Sequence, residues 1–220
     1  MGRRTGSSRP DPAAAISIDV VLITCHAQRL HVVAEPTGQR RRLALPWDVP
    51  GRREHLDAAA SRIAARAVGV SPDWMEQVGA FADGTAHPGG VTLSVCYAGL
   101  RPWTEQAAWR DTQALSGLAE RQRRMVTGAL SFIRSRMEQA PIAFALLPRE
   151  FTLSELQQTY ETLSGRRLHK ASFRRSLQAA FLVEPTGEWR GEGRGRPAQL
   201  YRYAPRRRKA ARRGMRLDLL

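Results

Sequence analysis

The sequence has 220 residues, of which 42% are hydrophobic, so it can bury the core of one large domain or two small ones. Its formal net charge of +15 favours a polyanionic partner, which is nucleic acid first and an anionic membrane surface less often. No apolar run is long enough to cross a bilayer, residues 1–15 lack an apolar signal core, and the two cysteines have neither zinc nor disulfide spacing. We therefore expect a cytoplasmic protein with no membrane partner, no cofactor and no metal site.

The first third of the chain predicts several strands. Residues 1–15 are polar and are predicted to be disordered. Residues 16–23 form a nearly continuous apolar run, which indicates a central strand, and residues 30–35 indicate a second strand. The basic loop 40–42 separates this pair from a short extended segment at 43–47.

A helix is predicted within the segment 48–70, where apolar residues recur at helical spacing and Gly69 is placed to cap the C-terminal end. Strands are predicted at 74–81 and 91–100, on either side of a loop rich in glycine and proline. Together these elements, several strands and one long helix, predict an α+β or α/β domain that ends near Pro102.

The next predicted element is a helix from about 116 to 138, with apolar residues at helical spacing and with Arg121 and other arginines on much of the remaining surface. We interpret this helix as a connector between two domains and as a place where two copies of the chain meet in a homodimer. The first domain, with its connector, then spans residues 16–140, and a second domain spans residues 141–204.

The segment 151–203 begins with the two helices of a winged helix-turn-helix. Thr152 and Glu155 have the spacing of a capping box at the start of one helix, and Gly165 is placed to end it. A second helix is predicted from 169 to 180, with an apolar stripe on one side and several cations off that stripe.

Strands predicted at 181–183 and 199–203 enclose a basic, glycine-rich wing at 184–198. A cationic helix fits the DNA major groove, where Arg and Lys contact guanine edges or phosphates, and a wing arginine reaches a minor groove or phosphates. The predicted DNA-binding residues are Lys170, Ser172, Arg174, Arg175, Arg194 and Arg196. The alternative is a solvated basic helix packed on a hairpin. The basic tail 205–220 is either a disordered end or an arm that contacts phosphates without sequence preference.

The segment 45–70 resembles a Nudix box, the strand-loop-helix-loop of Nudix hydrolases, whose pattern is G-x5-E-x7-R-E-U-x-E-E-x-G-U with U aliphatic. Glu54, Arg62 and the closing Gly69-Val70 match this pattern, while Asp48 replaces the opening glycine. Three glutamates of the box are replaced by Ile63, Arg66 and Ala67. In the enzymes, carboxylates on one face of the helix hold divalent cations that act on a pyrophosphate. The resemblance therefore implies a Nudix scaffold without a metal site and without hydrolase activity.

The two halves together resemble the NrtR family of Nudix-related transcriptional regulators. The resemblance covers residues 16–204 and is carried by HPGGVTLSVCYAGL, by AFALLPREFTLSELQQTYETLSGRRLHKASFRRSL and by GRGRPAQLYRY. It implies an α+β chain in which a Nudix-like α/β/α sandwich is followed by a winged helix-turn-helix. It also implies a bacterial repressor, commonly dimeric, that binds double-stranded operator DNA near genes of NAD metabolism or sugar catabolism. An ADP-ribose-like metabolite would release the DNA.

The sequence thus predicts a DNA-binding repressor whose non-catalytic Nudix-like domain senses an ADP-ribose-like nucleotide or a sugar metabolite. The predicted effector-binding residues are Glu54, Arg62 and Arg41, although the loop that carries Arg41 is alternatively a solvated loop. Two other functions stay open: a Nudix-type pyrophosphohydrolase with an atypical metal site built from Asp48, Glu54 and Asp57, and a non-specific nucleic-acid binder driven by the basic tail. The five histidines have no metal or nucleophile spacing, so none receives a role.

Overall fold

A computed structural model describes residues 16–38, 40–82, 84–191 and 197–205. The predicted disordered segment 1–15, the basic tail beyond Pro205, and the wing residues Arg194 and Arg196 lie outside the described residues. Within the described residues, no helix is both long enough and apolar enough to cross a membrane.

A mixed sheet forms the centre of the N-terminal half. Its strands, with a small separate hairpin, are in chain order β1 (Ile16–His26), β2 (Arg29–Val33), β3 (Glu35–Pro36), β4 (Leu43–Ala44), β5 (Trp47–Asp48), β6 (Trp74–Phe81), β7 (Leu93–Leu100) and β8 (Trp109–Asp111). The helices are α1 (Leu56–Val68) and α2 (Glu120–Gln139). The strand order is β6-β7-β1-β2-β8 with β5 paired to β1, while β3 and β4 pair with each other. Strand β1 is central, as its continuous apolar run predicted.

Alternate side chains of β1 enter two different cores, because successive residues of a strand face opposite sides of the sheet. Val20 and Leu22 pack in the same core as Ile63 of α1. Val21 and Ile23 belong to the core on the other face, which α2 covers. A helix on each face of one sheet makes an α/β/α sandwich, so the predicted fold of this half is confirmed.

The stretch between β7 and α2 differs from the prediction. The strands do not end near Pro102, because Trp109–Asp111 pairs with β2 and adds an edge strand to the sheet. Helix α2 begins at Glu120, and its buried side chains include Met125 and Ile133, so it covers the sheet instead of only bridging two domains. Arg121, which the sequence placed among surface arginines, lies in the first turn of this helix and is buried.

The C-terminal half begins with a 3-10 helix (Ile142–Leu146), followed by β9 (Phe151–Thr152), α3 (Leu153–Ser164), α4 (Lys170–Ala180), β10 (Val183–Arg190) and β11 (Ala198–Tyr203). The predicted capping box is present: Thr152 Oγ1 accepts from the Glu155 N–H at 3.1 Å, and the Glu155 carboxylate accepts from the Thr152 N–H at 2.6 Å. Gly165 ends α3 in the left-handed conformation, with φ 71°. A three-stranded sheet in the order β10-β11-β9 completes the predicted winged helix-turn-helix.

Local details of the wing differ from the prediction. The predicted strand 181–183 begins only at Val183, because Phe181 ends α4 in the left-handed region with φ 52°. Strand β10 then continues to Arg190, so the first part of the predicted wing loop 184–198 is strand. The sequence does not predict β9, which is two residues long and pairs with the distant β11.

The two halves share one core. Leu156 and Leu163 of α3 lie in the same hydrophobic cluster as Val21 of β1 and Met125 of α2. In addition, Nε of Arg134 on α2 donates a hydrogen bond to the carbonyl oxygen of Leu163 at 2.9 Å. The winged half is therefore seated against the face of the sheet that α2 covers.

Candidate DNA-binding surface and effector site

Helix α4 presents a cationic surface to solvent. Phe173 and Leu177 are buried, which orients the opposite side of the helix outward. Lys170, Arg174 and Arg175 are exposed, and no ion pair among the described residues engages them. Lys170 and Arg174 are four residues apart and lie on the same helical face. Their charges are thus available to DNA phosphates or base edges.

The turn between α3 and α4 is fixed by side chains that the sequence did not single out. Gln157 Nε2 donates to the carbonyl oxygen of Leu168 at 3.0 Å, and the Glu161 carboxylate accepts from the Leu168 N–H at 2.9 Å. The rings of Tyr160 and Phe173 pack edge to face with their centroids 5.7 Å apart. These contacts set the angle at which α4 leaves α3.

Ser172 is placed differently from the cations predicted beside it. It is half-buried, and its hydroxyl lies 3.5 Å from Nδ1 of His169, the residue that precedes α4. Its hydroxyl thus already has a neighbour at the start of the helix. Arg194 and Arg196 fall outside the described residues, so their DNA-binding role stays a prediction.

The described part of the wing is joined to the start of α3. Arg190 Nη1 donates to the Glu155 carboxylate at 2.8 Å, so Glu155 takes part in both the capping box and an ion pair with β10. The neighbouring Trp189 is 57% exposed. Glu155 therefore fixes the base of the wing relative to the helix-turn-helix.

The acidic residues of the Nudix-like box are paired with arginines. Glu54 accepts two hydrogen bonds from Arg62, at 2.8 Å from Nε and at 2.9 Å from Nη2. Asp48 Oδ2 accepts from Arg62 Nη1 at 2.7 Å and from Arg66 Nη1 at 3.2 Å. The hydrogen bond from Arg62 is the main cause that lowers the pKa of Glu54 to about 2, and it also lowers the pKa of Asp48.

This pairing bears on the hydrolase alternative. Asp57, the third carboxylate of that alternative, accepts a hydrogen bond from the Tyr97 hydroxyl at 2.6 Å. Ile63, which stands where the box has a glutamate, is buried in the core under α1. Among the described residues, no group of three or more His, Cys, Asp or Glu side chains could hold a metal ion. The arrangement holds the loop after β5 against α1 by ion pairs.

Arg41 lies apart from Glu54 and Arg62. It sits in the β3–β4 hairpin with φ 60°, and its carbonyl oxygen would lie 2.8 Å from a Cβ added at Gly117. A cavity of about 690 Å³ is lined by Arg40, Arg41, Arg42 and residues near Gly117, and by none of the box residues. The structure thus brings Glu54 and Arg62 into direct contact and does not bring Arg41 to them.

A buried polar network behind the box is a feature that the sequence missed. Asp19 Oδ1 accepts from His87 Nε2 at 2.9 Å and from Gln122 Nε2 of α2 at 2.8 Å, and all three side chains are buried. The Trp47 ring lies edge to face with His87, at a centroid distance of 4.9 Å, and covers Gly89, where an added Cβ would fall 2.3 Å from the ring. His87 therefore has a structural role, which the sequence analysis did not assign to it.

The loop between β6 and β7, which carries His87, makes a second set of contacts with α2. Buried Arg121 donates to the carbonyl oxygens of Thr85 at 2.6 Å and of Val91 at 2.9 Å. A signal for this network was present in the sequence, because Asp19 interrupts an otherwise apolar strand and a buried carboxyl group needs hydrogen-bond donors. The partners of Asp19, which are His87 and Gln122, however, lie far away along the chain.

Residues 143–203 match the family model of the NrtR DNA-binding winged helix domain. The chain is similar to the "ADPR responsive transcriptional repressor NtrR" of Acinetobacter baylyi, with 26% identity over 210 residues that cover 88% of this chain and 83% of the relative. It is also similar to the crystal structure of Shewanella oneidensis NrtR complexed with a 27mer DNA, with a TM-score of 0.79 and 27% identity, covering 93% of this chain and 99% of the other.

A MutT/nudix family protein from Enterococcus faecalis matches with a TM-score of 0.66 and 18% identity, over 87% of this chain and 88% of the other. At that identity the likeness shows the fold alone. The two relatives of the preceding paragraph, by contrast, are transcriptional regulators by name or were crystallised with DNA. The predicted resemblance to NrtR-type regulators, with a Nudix-like domain followed by a winged helix, is thus confirmed along nearly the whole chain.

Proposed function

We propose that this chain is a sequence-specific DNA-binding repressor whose Nudix-like domain binds an ADP-ribose-like nucleotide or a sugar metabolite without hydrolysing it. The observation that carries the proposal is the exposed cationic face of α4 inside a segment that matches the NrtR DNA-binding domain. The name of the Acinetobacter baylyi relative and the DNA in the Shewanella oneidensis crystal support the same role.

In this proposal α4 enters the major groove of operator DNA. Lys170, Arg174 and Arg175 contact phosphates and base edges there, and Ser172 accompanies them from its half-buried position. Arg194 and Arg196 add contacts from the wing. A homodimer would place two copies of α4 in successive major grooves, about 34 Å apart along the duplex.

The effector is proposed to bind at the Nudix-like box. Arg62 and Arg66 are held there by the carboxylate of Asp48, and Glu54 holds Arg62 from the other side. A phosphate group of a nucleotide would compete with these carboxylates for the two guanidinium groups, because arginine binds both in the same bidentate manner. Arg41 is proposed to contact a more distant part of the same ligand.

The exchange of partners at the box would then alter DNA binding. A ligand shifts the equilibrium only if it binds one arrangement of the two halves better than the other. A coupling free energy of about 1–3 kcal/mol between effector and DNA is typical of such systems.

The proposal is tested by fluorescence anisotropy with a duplex from the gene's own upstream region and a scrambled duplex, at several salt concentrations. We expect tighter binding to the native duplex and release by ADP-ribose, NAD or ATP, which are added separately. Arg174→Ala should weaken native binding by about 1–3 kcal/mol if the side chain reads a base. Arg110→Ala, at an exposed arginine of edge strand β8, is the matched control. Equal binding to both duplexes with a steep salt dependence would instead support a non-specific binder.

We also propose that the chain is not a Nudix hydrolase. Ile63, Arg66 and Ala67 supply no carboxylate where the enzymes have glutamates, and Asp48 and Glu54 are engaged by arginines. Incubation with ADP-ribose or NADH, in the presence of Mg²⁺ or Mn²⁺, is expected to give no turnover above that of the Asp48→Ala/Glu54→Ala double variant. Turnover that the double variant lacks would refute this part of the proposal.

A further inference from the structure

An open cleft of about 820 Å³ lies where the two halves of the chain meet. One wall is the start of edge strand β6, with Trp74 and Glu76. The other walls are the segment from Ala140 to Arg149, which contains the 3-10 helix, and the end of β11 at Tyr203. Its volume is within the range of about 300–1,000 Å³ that is usual for small-molecule sites. Of the residues proposed above for DNA or for the effector, none that the structure describes lines this cleft.

The wall formed by β6 is held in place by its own hydrogen bonds. Trp74 Nε1 donates to Glu76 Oε1 at 3.1 Å, and Arg136 Nη2 donates to the same oxygen at 2.9 Å. These bonds fix the indole of Trp74 at the cleft, and Arg136 neutralises the carboxylate beneath it. The wall therefore presents the Trp74 indole above a paired carboxylate, with the exposed carboxylate of Asp73 at the end of the wall that precedes β6.

The wall formed by β11 is aromatic as well. The ring of Tyr203 packs against Phe144 of the 3-10 helix, with the centroids 4.5 Å apart and the ring planes tilted by 31°. Tyr203 is nevertheless 39% exposed, so one side of its ring stays open to the cleft. A tyrosine hydroxyl is neutral at neutral pH, and burial raises the pKa of Tyr203 further, so this hydroxyl can donate a hydrogen bond in the cleft.

Two arginines of the described part of the chain line the cleft, and they differ in their partners. Arg202 is paired with Glu184 across the wing sheet. Arg149 is exposed, and no hydrogen bond or ion pair among the described residues engages its guanidinium group. Its planar fork of N–H donors suits a carboxylate, which it can bind through two parallel hydrogen bonds.

We propose that this cleft binds a small planar aromatic carboxylate, with the ring between Trp74 and Tyr203 and the carboxylate on Arg149. A ligand in the cleft contacts β6 of the Nudix-like half on one side. On the other side it contacts the segment from Ala140 to Arg149 and β11 of the winged half. The ligand therefore stabilises the present arrangement of the two halves, because anything that binds only this arrangement adds its binding free energy to it.

The proposal is tested with the full chain by isothermal titration calorimetry, using naphthoate and its neutral analogue naphthalenemethanol as probes. We expect saturable binding of naphthoate, with weaker binding of the neutral analogue. Arg149→Ala should raise the Kd for naphthoate about tenfold or more, as the loss of a charge-assisted contact implies. Trp74→Leu should also weaken binding, and Arg110→Ala should leave it unchanged.

Binding of both probes with equal affinity, or a Kd for naphthoate that neither Arg149→Ala nor Trp74→Leu changes, would overturn the proposal. So would the absence of saturable binding at millimolar naphthoate. Sedimentation velocity, with and without naphthoate, measures whether the probe changes the oligomeric state of the chain. If the probe binds only by separating two copies of the chain, the cleft is an interface between copies and the proposal of a ligand site is wrong.

Discussion

Replacing Asp19 with alanine is expected to cost the protein about 2–6 kcal/mol of unfolding free energy. The carboxyl group accepts hydrogen bonds from His87 at 2.9 Å, from Gln122 at 2.8 Å and from Ser17 at 2.7 Å, all within the buried interior. Alanine leaves the N–H donors of His87 and Gln122 without an acceptor, and each such buried donor costs about 1–3 kcal/mol. Ser17 keeps a contact with Ser94 at 2.9 Å, so its loss is not counted.

The matched control for this change is Asp19→Asn. The amide oxygen of asparagine has the same reach and can still accept from His87 and Gln122, so we expect a cost below about 1.5 kcal/mol, the value of one ordinary hydrogen bond. Both variants are measured by urea unfolding, followed by tryptophan fluorescence and circular dichroism. An alanine variant within 1 kcal/mol of the wild type (about the scatter of such measurements), or equal losses for both variants, would refute the argument that this network stabilises the fold.

Three further predictions concern other contacts. The carboxyl group of Glu54 should titrate by NMR near its lowered pKa of about 2. The pKa of Glu54 is lower in the folded than in the unfolded protein, so the pairing of Glu54 with Arg62 stabilises the fold above the ordinary pKa of about 4.3. This stabilisation is lost as the pH falls through about 2. Arg62→Gln should return the pKa of Glu54 towards the ordinary value. Thr152→Ala should lower stability by about 1 kcal/mol through loss of the N-cap, whereas Gln158→Ala, at an exposed position of α3, should change it little. Gly89→Ala should cost about 1–3 kcal/mol, because its Cβ would fall 2.3 Å from the Trp47 ring, whereas Gly79→Ala meets no atom within 4 Å; equal losses at both glycines in thermal unfolding would contradict the close packing at Trp47.

The elements that the sequence predicted correctly are those whose signal is local. The capping box of Thr152 and Glu155 and the left-handed Gly69 and Gly165 each depend on residues within one or two helical turns. Residues 74–81 were predicted to hold a strand with its approach, and the observed β6 occupies this whole range, Trp74–Phe81, because its composition is strand-like.

The elements that were missed depend on pairing with distant strands. Trp109–Asp111 and Phe151–Thr152 are too short to show an alternating pattern, and each exists because β2 or β11 offers it a free edge. Arg121 was placed on the surface for a similar reason. Charge alone suggested exposure, but the carbonyl oxygens of Thr85 and Val91 satisfy its guanidinium group inside the fold.

In the candidate sites, too, the features with a local sequence signal could be predicted and the contacts between distant residues could not. The exposed cations of α4 could be predicted because Phe173 and Leu177 define the buried face of one helix. Glu54 and Arg62 were predicted to belong to one site because their spacing is part of the box, but their ion pair was not predicted. The contact of Asp19 with His87 joins residues 68 positions apart, and no periodicity in the sequence brings them together.

Helix α2 is the element through which the two proposed sites would influence each other. Gln122, near its start, donates to Asp19, and the same side chain accepts from the N–H of Leu45, the first residue of the box segment, at 3.1 Å. Arg134, in the second half of the helix, donates to the last turn of α3. A helix of 20 residues is about 30 Å long, so α2 spans the distance from the network behind the box to the helix-turn-helix. It follows that an effector at the box can release DNA only if its bound state favours a different position of α2, because the contacts at both ends of this helix are made in one arrangement.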